Sequence, residues 1–182
     1  MSDIITAIKG QAAHATVSGG TQTSFTLDDL VKRCSLLMRH ELMSSGCRLE
    51  TEPSLDKTLR IPGDINNLVQ VVNNLITNAI DAQKKDGDHR ILLGLRRGET
   101  HMHLMVKDFG SGVDPRVRSG LFKKMATSKG TKGTGLGLYI SSAVVKGKFG
   151  GHMWVEDNPE GGTVFGIALP LDHLGHTEKE AQ

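Results

Sequence analysis

Asn74 and Asn78 stand four residues apart in a segment, 64–83, whose polar positions Asn67, Gln70 and Asp81 fall on the same narrow side of a helix. Residues at i and i+4 lie one above the other on a helix. Amide oxygens are hard, neutral ligands. A magnesium ion prefers oxygen and keeps waters and substrate phosphates in its shell. Two stacked amides could therefore hold a hydrated ion over a nucleotide. The same pattern also fits a solvated polar face, the simpler reading of this helix taken alone.

A second candidate is Asp108, which ends an apolar run and is followed by Phe109-Gly110-Ser111-Gly112. An ionised Asp at a strand end can accept a hydrogen bond from an exocyclic amine such as that of adenine. Glycines let a flat base approach the backbone closely. An ordinary strand-to-turn exit is the competing reading. The string Asp-Phe-Gly also occurs in eukaryotic protein kinases, but no His-Arg-Asp loop precedes it here.

The third candidate is Gly133-Thr134-Gly135-Leu136-Gly137-Leu138, which opens a helix. Free N–H groups and the helix dipole suit a phosphate there. No Lys-Ser/Thr follows, so it is not a P-loop, and its Gly-x-Gly-x-Gly spacing is not the dinucleotide fingerprint. Lys123, Lys124, Lys129 and Lys132 lie just before it. They would suit a triphosphate, although a solvated basic loop reads the same. His40-Glu41 lacks a second histidine at Ser44, so it is no zinc-protease motif. His101 and His103 share one strand face, where exposed side chains are the simpler reading than metal ligands.

These residues need elements to hold them. Apolar residues at helical spacing predict a helix over 3–17, a second over 27–45 and a third over 64–83. Thr26 with Asp29 resembles a capping box, Gly46 is a stop, and Asp64 is a natural N-cap. In the third helix Leu68, Val72, Leu75, Ile76 and Ala79 form the buried stripe. Strands are expected over 48–52, 91–96 and 102–108, the last two joined by a hairpin near Gly98-Glu99. A glycine-rich loop, a helix from about Gly135 to Lys148, and strands from Met153 and Thr163 complete the chain. The order predicts an α/β two-layer sandwich, a mixed, mostly antiparallel sheet with helices on one face. Residues 1–24 read as the end of a preceding helix and a linker, 25–172 as one domain, and 173–182 as a disordered tail.

Composition narrows the functional classes. The net charge of +2 gives no support for a nucleic-acid partner. The longest apolar runs are too short to span a bilayer, and no charged, then apolar, opening resembles a secretory signal. Cys34 and Cys47 fit no metal spacing and read as reduced, buried thiols of a cytosolic protein.

In order, these segments resemble the boxes of the histidine-kinase/gyrase/chaperone/mismatch-repair ATPase superfamily. Asn74 to Ala82 resembles the N box and Asp108 to Gly112 the first glycine box. Leu121-Phe122 through Thr127-Ser128-Lys129 resembles the F box. Gly133 to Leu138 and Gly161-Gly162-Thr163 resemble the later glycine boxes. The set covers roughly 65–170. The resemblance implies a Bergerat-type ATP-binding fold with ATP and magnesium as cofactors. Asn78 would be the main metal ligand, with Asn74 helping, and Lys129 would join them in catalysis. Asp108 would bind the adenine amine and Gly110 and Gly112 would shape the base pocket. Thr163 would support the adenine-side hydrogen bonds. Asp81, Ala82, Val113, Lys129, Gly133, Thr134, Gly135, Leu136, Gly137 and Leu138 would complete the nucleotide site. Residues 113–134 would form a mobile lid. At the F box, Lys123, Lys124 and Met125 replace the more usual proline and aromatic residues.

The hydrolytic branches of this superfamily carry a Glu four residues before the metal Asn, to activate water. Here that position is Asn74, and an amide cannot take a proton. The resemblance therefore implies a sensor histidine kinase. The acceptor histidine would sit on a dimerisation hairpin largely absent from this chain, since His14 and His40 are poorly placed. Further implied partners are the receiver domain of a response regulator and, for the parent protein, a second copy; the fragment alone could be a monomer. The alternatives are an ATPase or serine kinase of the same fold, or a degenerate nucleotide-binding module.

Overall fold

The computed structural model describes residues 23–123 and 136–174. The helix expected over 3–17, Lys124, Lys129, Lys132, Gly133, Thr134, Gly135 and the tail from 175 lie outside the described residues.

The chain enters through β1 (Ser24–Thr26) and α1 (Leu27–Leu37). The capping box is present: Thr26 Oγ1 accepts from Asp29 N–H at 3.1 Å, and Asp29 Oδ2 accepts from Thr26 N–H at 3.1 Å. The single helix expected over 27–45 is broken at Met38, whose N–H returns to the Cys34 carbonyl, and α2 (Arg39–Ser45) follows. Leu27, Leu30, Cys34, Met38 and Leu42 are all buried, so the apolar pattern runs straight through the break. Leu37, expected on that stripe, is exposed, as are Leu36 and Met43. Gly46 stops α2 with φ +70, the left-handed cap that glycine adopts without a Cβ penalty.

Next come β2 (Arg48–Thr51) and β3 (Arg60–Pro62). β1 and β3 pair antiparallel as a small ribbon with Phe25 opposite Ile61, both buried. Neither strand is expected from the sequence, because three residues are too few to show an alternation. The ribbon sets the start of α3 (Ile65–Asp81): Gly63 N–H bonds the Thr23 carbonyl at 2.7 Å. Asp64 then caps the helix through Asn66 N–H at 2.9 Å. The expected stripe of Leu68, Val72, Leu75, Ile76 and Ala79 is buried, joined by Val69 and Val71.

The main sheet has the order β2-β4-β5-β7-β6, with β4 (Arg90–Arg97), β5 (His101–Lys107), β6 (His152–Asp157) and β7 (Thr163–Pro170). The β2–β4 pair is parallel and the other three pairs are antiparallel. This is the mixed, mostly antiparallel sheet expected. On one face Ile91, Leu93, Leu104, Val106, Phe165 and Ile167 join α1, α2, α3 and α5 (Leu136–Phe149) in a single core. The other face carries Trp154, which lies flat over Gly166. Trp154 Nε1 donates to His103 Nδ1 at 2.9 Å. Burial, and then the Arg96 guanidinium, hold the His103 pKa below its ordinary value. His103 is thus half-buried against Trp154 rather than simply exposed.

Between β5 and α5 a short helix, α4 (Pro115–Arg118), starts at the Asp114 cap with proline at its first position. Leu121 is buried, Phe122 meets Phe165 edge-on at 6.4 Å, and Arg118 pairs with Asp157. The first part of the lid expected over 113–134 is therefore packed, because three of its side chains reach the domain. Cys34 and Cys47 are buried free thiols, and burial pushes Cys34 up to about 12. The 3-10 turn Leu171–His173 continues the described structure one residue beyond Asp172, and Leu174 packs on the core.

Candidate nucleotide-binding site

The corner around Asp108 is built from the ends of β5, β6 and β7. Asp108 follows β5 and is 2% exposed. Its N–H bonds the Thr163 carbonyl at 2.9 Å, continuing the β5–β7 ladder one residue past Lys107 and Val164. Its Oδ1 accepts from Gly110 N–H at 2.9 Å and from Thr163 N–H at 3.2 Å. Among the described residues the hydrogen bonds to the carboxylate all fall on Oδ1. Oδ2 is thereby the atom suited to an outside donor. Burial raises the Asp108 pKa above its ordinary value, and the N–H groups of Gly110 and Thr163 oppose that rise.

The β6–β7 turn closes on this corner. Asn158, 7% exposed, donates from Nδ2 to the Asp108 carbonyl at 2.9 Å. Gly162 has φ +89, and a Cβ there would stand 2.3 Å from the Asp108 carbonyl oxygen. Only a residue without a side chain fits both the conformation and the space.

The loop after Asp108 rests on the end of α3. Ser111 N–H bonds the Ala82 carbonyl at 2.9 Å, and a Cβ on Gly110 would meet that same oxygen at 2.2 Å. Gly110 is thus required by the contact with α3, while Gly112 takes a left-handed φ of +78. Val113 packs at the edge of the core. Asp81 is exposed on the last turn of α3 and Ala82 is its C-cap.

The second part of the site lies along the middle of α3. Asn74 Nδ2 donates to Ser141 Oγ of α5 at 3.1 Å, and Ser141 is 4% exposed. A Cβ on Gly137 would stand 2.5 Å from Asn74 Oδ1, so the first turn of α5 sits directly on the Asn74 amide. Asn78 is half-buried one turn further along α3. Leu136, Gly137 and Leu138 form the start of α5, with Leu138 packed on the core. The dipole of this fourteen-residue helix directs positive potential to that end.

Asp108, Gly110 and Thr163 are therefore brought together, and α3 joins them to Asn74, Asn78 and Gly137. Lys129, Gly133, Thr134 and Gly135 lie outside the described residues. Two participants escape the sequence reading. Asn158 falls in the stretch between the strands expected from Met153 and Thr163, and Asn before Pro159-Glu160-Gly161 is a residue type that bonds local backbone. Ser141 carries no sequence signal, being one small residue in a helix.

Residues 63–173 match the family model described as histidine kinase-, DNA gyrase B-, and HSP90-like ATPase. The chain is 33% identical over 144 residues to sporulation kinase A of Bacillus subtilis (strain 168), covering 79% of this chain and 23% of that protein. It is 34% identical over 133 residues to the sensory histidine kinase/phosphatase NtrB of Azospirillum brasilense, covering 66% of this chain and 32% of that protein. The chain thus spans a quarter to a third of these curated relatives. Among solved structures it is similar to a nucleotide-free catalytic domain of the histidine kinase ThkA. The TM-score is 0.68 at 27% identity, over 83% of this chain and 96% of that one.

Proposed function

The chain belongs to the histidine kinase-, DNA gyrase B-, and HSP90-like ATPase family as a histidine-kinase catalytic ATP-binding domain, and from that premise we propose how it uses ATP. The nucleotide lies between α3 and the segment leading into α5. Asp108 Oδ2 receives the adenine amine while Oδ1 stays locked to the backbone. Thr163, Gly110 and Gly112 frame the base. The start of α5, with Gly133, Thr134, Gly135, Leu136, Gly137 and Leu138, receives the phosphates. Asp81, Ala82 and Val113 line the approach.

The donor set fits magnesium. Asn78 supplies a neutral amide oxygen, and Asn74 stands one turn away, tied to Ser141. Among the described residues no three His, Cys, Asp or Glu side chains gather to hold a metal ion alone. The amides would share the ion with nucleotide phosphates, the usual habit of magnesium. When bound, the ion neutralises charge developing on the phosphoryl group. Asn78 would be the principal ligand, Asn74 would help while holding α5 against α3, and Lys129 would add positive charge.

The γ-phosphoryl then passes to a histidine on a dimerisation hairpin of the parent protein, a two-component sensor kinase that signals to a response-regulator receiver domain. Positioning and charge stabilisation carry such a transfer. An imidazole is already nucleophilic, so the absence of a carboxylate at position 74 costs the reaction nothing. The parent acts as a homodimer, and this part of it works on the cytoplasmic side. Among the described residues no helix is long and apolar enough to cross a membrane.

The observation that carries this reading is the one-sided carboxylate of Asp108, held by two backbone N–H groups. Calorimetric titration with a non-hydrolysable ATP analogue, with and without magnesium, tests it beside Asp108→Asn. Magnesium-dependent binding that the variant loses supports the reading. No binding by the unaltered chain refutes it.

A further inference from the structure

We propose that Asn158 is a positioning residue that sets the preference for an amine over a carbonyl at position 6 of the purine. This rests on the role proposed above for Asp108. Asn158 is buried and occupied on every side. Nδ2 donates to the Asp108 carbonyl at 2.9 Å, and Oδ1 accepts from Glu160 N–H at 3.2 Å. Its backbone N–H donates to the Gly162 carbonyl at 3.2 Å, and its carbonyl accepts from Gly161 N–H at 2.8 Å.

The turn thus held delivers Thr163 N–H, one of the two donors that fix Asp108 Oδ1. Asn158 therefore grips Asp108 from two directions. It bonds the peptide carbonyl directly, and through the turn it places a donor on the carboxylate. A carboxylate discriminates adenine from hypoxanthine only while its orientation is fixed, because O6 of hypoxanthine is an acceptor and would face another acceptor. Loosening the grip lets the carboxylate turn away or take up water, which removes the penalty against the carbonyl as well as the bond to the amine. Turn formation alone does not demand this residue type, since Asp, Ser or Gly forms such turns. The donor on Nδ2 is what the turn does not use.

The test compares ADP with inosine 5′-diphosphate as probes, by calorimetry on the full chain, for the unaltered protein, Asn158→Ala, Asn158→Asp and Asp108→Asn. Asp at 158 keeps an acceptor for Glu160 N–H but sets a carboxylate oxygen against the Asp108 carbonyl, so it keeps the turn contact and turns the grip into repulsion. Both position-158 variants should lower the preference for ADP by about tenfold, the size of one hydrogen bond, with ADP affinity falling and inosine diphosphate affinity rising as the clash at its carbonyl is relieved. If both affinities fall in parallel and the preference stays, Asn158 only supports the turn and the proposal is overturned. Where Asn158→Ala does not fold, Asn158→Asp alone decides by the same ratio. If Asp108→Asn leaves the preference intact, the base-binding role of Asp108 fails and this proposal fails with it. A preference lost in Asp108→Asn but kept in the 158 variants sinks this proposal alone.

Discussion

The two ends of the candidate site are built from different materials. At the proposed base end, Asp108 is held by two sets of backbone groups, the N–H of Gly110 and both polar groups of Thr163, and by one side chain, the Asn158 amide on the Asp108 carbonyl. At the proposed metal and phosphate end the contacts join helix to helix, Asn74 to Ser141 and Gly137 to Asn74. The first set extends the β5–β7 ladder, so it forms when the sheet forms. The second consists of groups on helix surfaces, which can change without disturbing the ladder. The proposed base recognition is therefore coupled to stability, and the proposed phosphate chemistry is separable from it.

The largest effect should come from Gly162→Ala. The left-handed backbone and the 2.3 Å approach to Asp108 should together cost about 3 kcal/mol of stability, at the upper end for backbone strain. Adenine-nucleotide affinity should fall as well. Chemical denaturation and calorimetry read the two losses, and an unchanged unfolding midpoint would break the link between ladder and base site.

Asp108→Asn should separate the two quantities. Losing a charge-assisted hydrogen bond should weaken nucleotide binding by about ten- to a hundredfold, while the fold survives. The raised pKa also gives a sign. A buried carboxyl favours the folded state in its protonated form, so its contribution to stability is present below the ordinary carboxylate pKa and is lost as pH rises through the folded value. Binding the adenine amine needs the ionised form and runs the opposite way, weakening on acidification through that raised value. Titrations from pH 7 downward should show this limb, and it should be missing in Asp108→Asn.

At the other end, Asn78→Ala should abolish the magnesium dependence of nucleotide binding while moving stability by only about 1 kcal/mol, as for an ordinary half-buried polar side chain. Binding that still strengthens with magnesium would take Asn78 out of the metal site.

The same contrast explains what was legible in the sequence. Periodicity found the buried stripe of α3, and side-chain chemistry found its Asp64 cap, the Thr26–Asp29 box and Gly46. These are local signals. The break at Met38 leaves no local mark, since Met38 and Leu42 continue the apolar pattern across it. The β1–β3 ribbon is fixed by a pairing between residues 36 apart. Asp108, Gly110 and Thr163 came through the order of their motifs, whereas Asn158 and Ser141 matter only for what distant chain places against them. Each reaches its partner, Asp108 or Asn74, across 50 or 67 residues of chain.

The smallest effect should be at the junction of α3 and α5. Asn74→Ala and Ser141→Ala each remove one partner of a part-buried hydrogen bond of 3.1 Å, worth about 1 kcal/mol. If the bond is the main thing each residue does for the fold, the double variant should cost little more than either single one, leaving a coupling energy of about 1 kcal/mol. Measured on nucleotide binding, the cycle asks a second question. Ser141 touches α3 but is not placed on the nucleotide, so an effect of Ser141→Ala as large as that of Asn74→Ala would mean that Asn74 acts by fixing the start of α5. A loss confined to Asn74→Ala, and only with magnesium present, would instead put its amide on the ion beside Asn78.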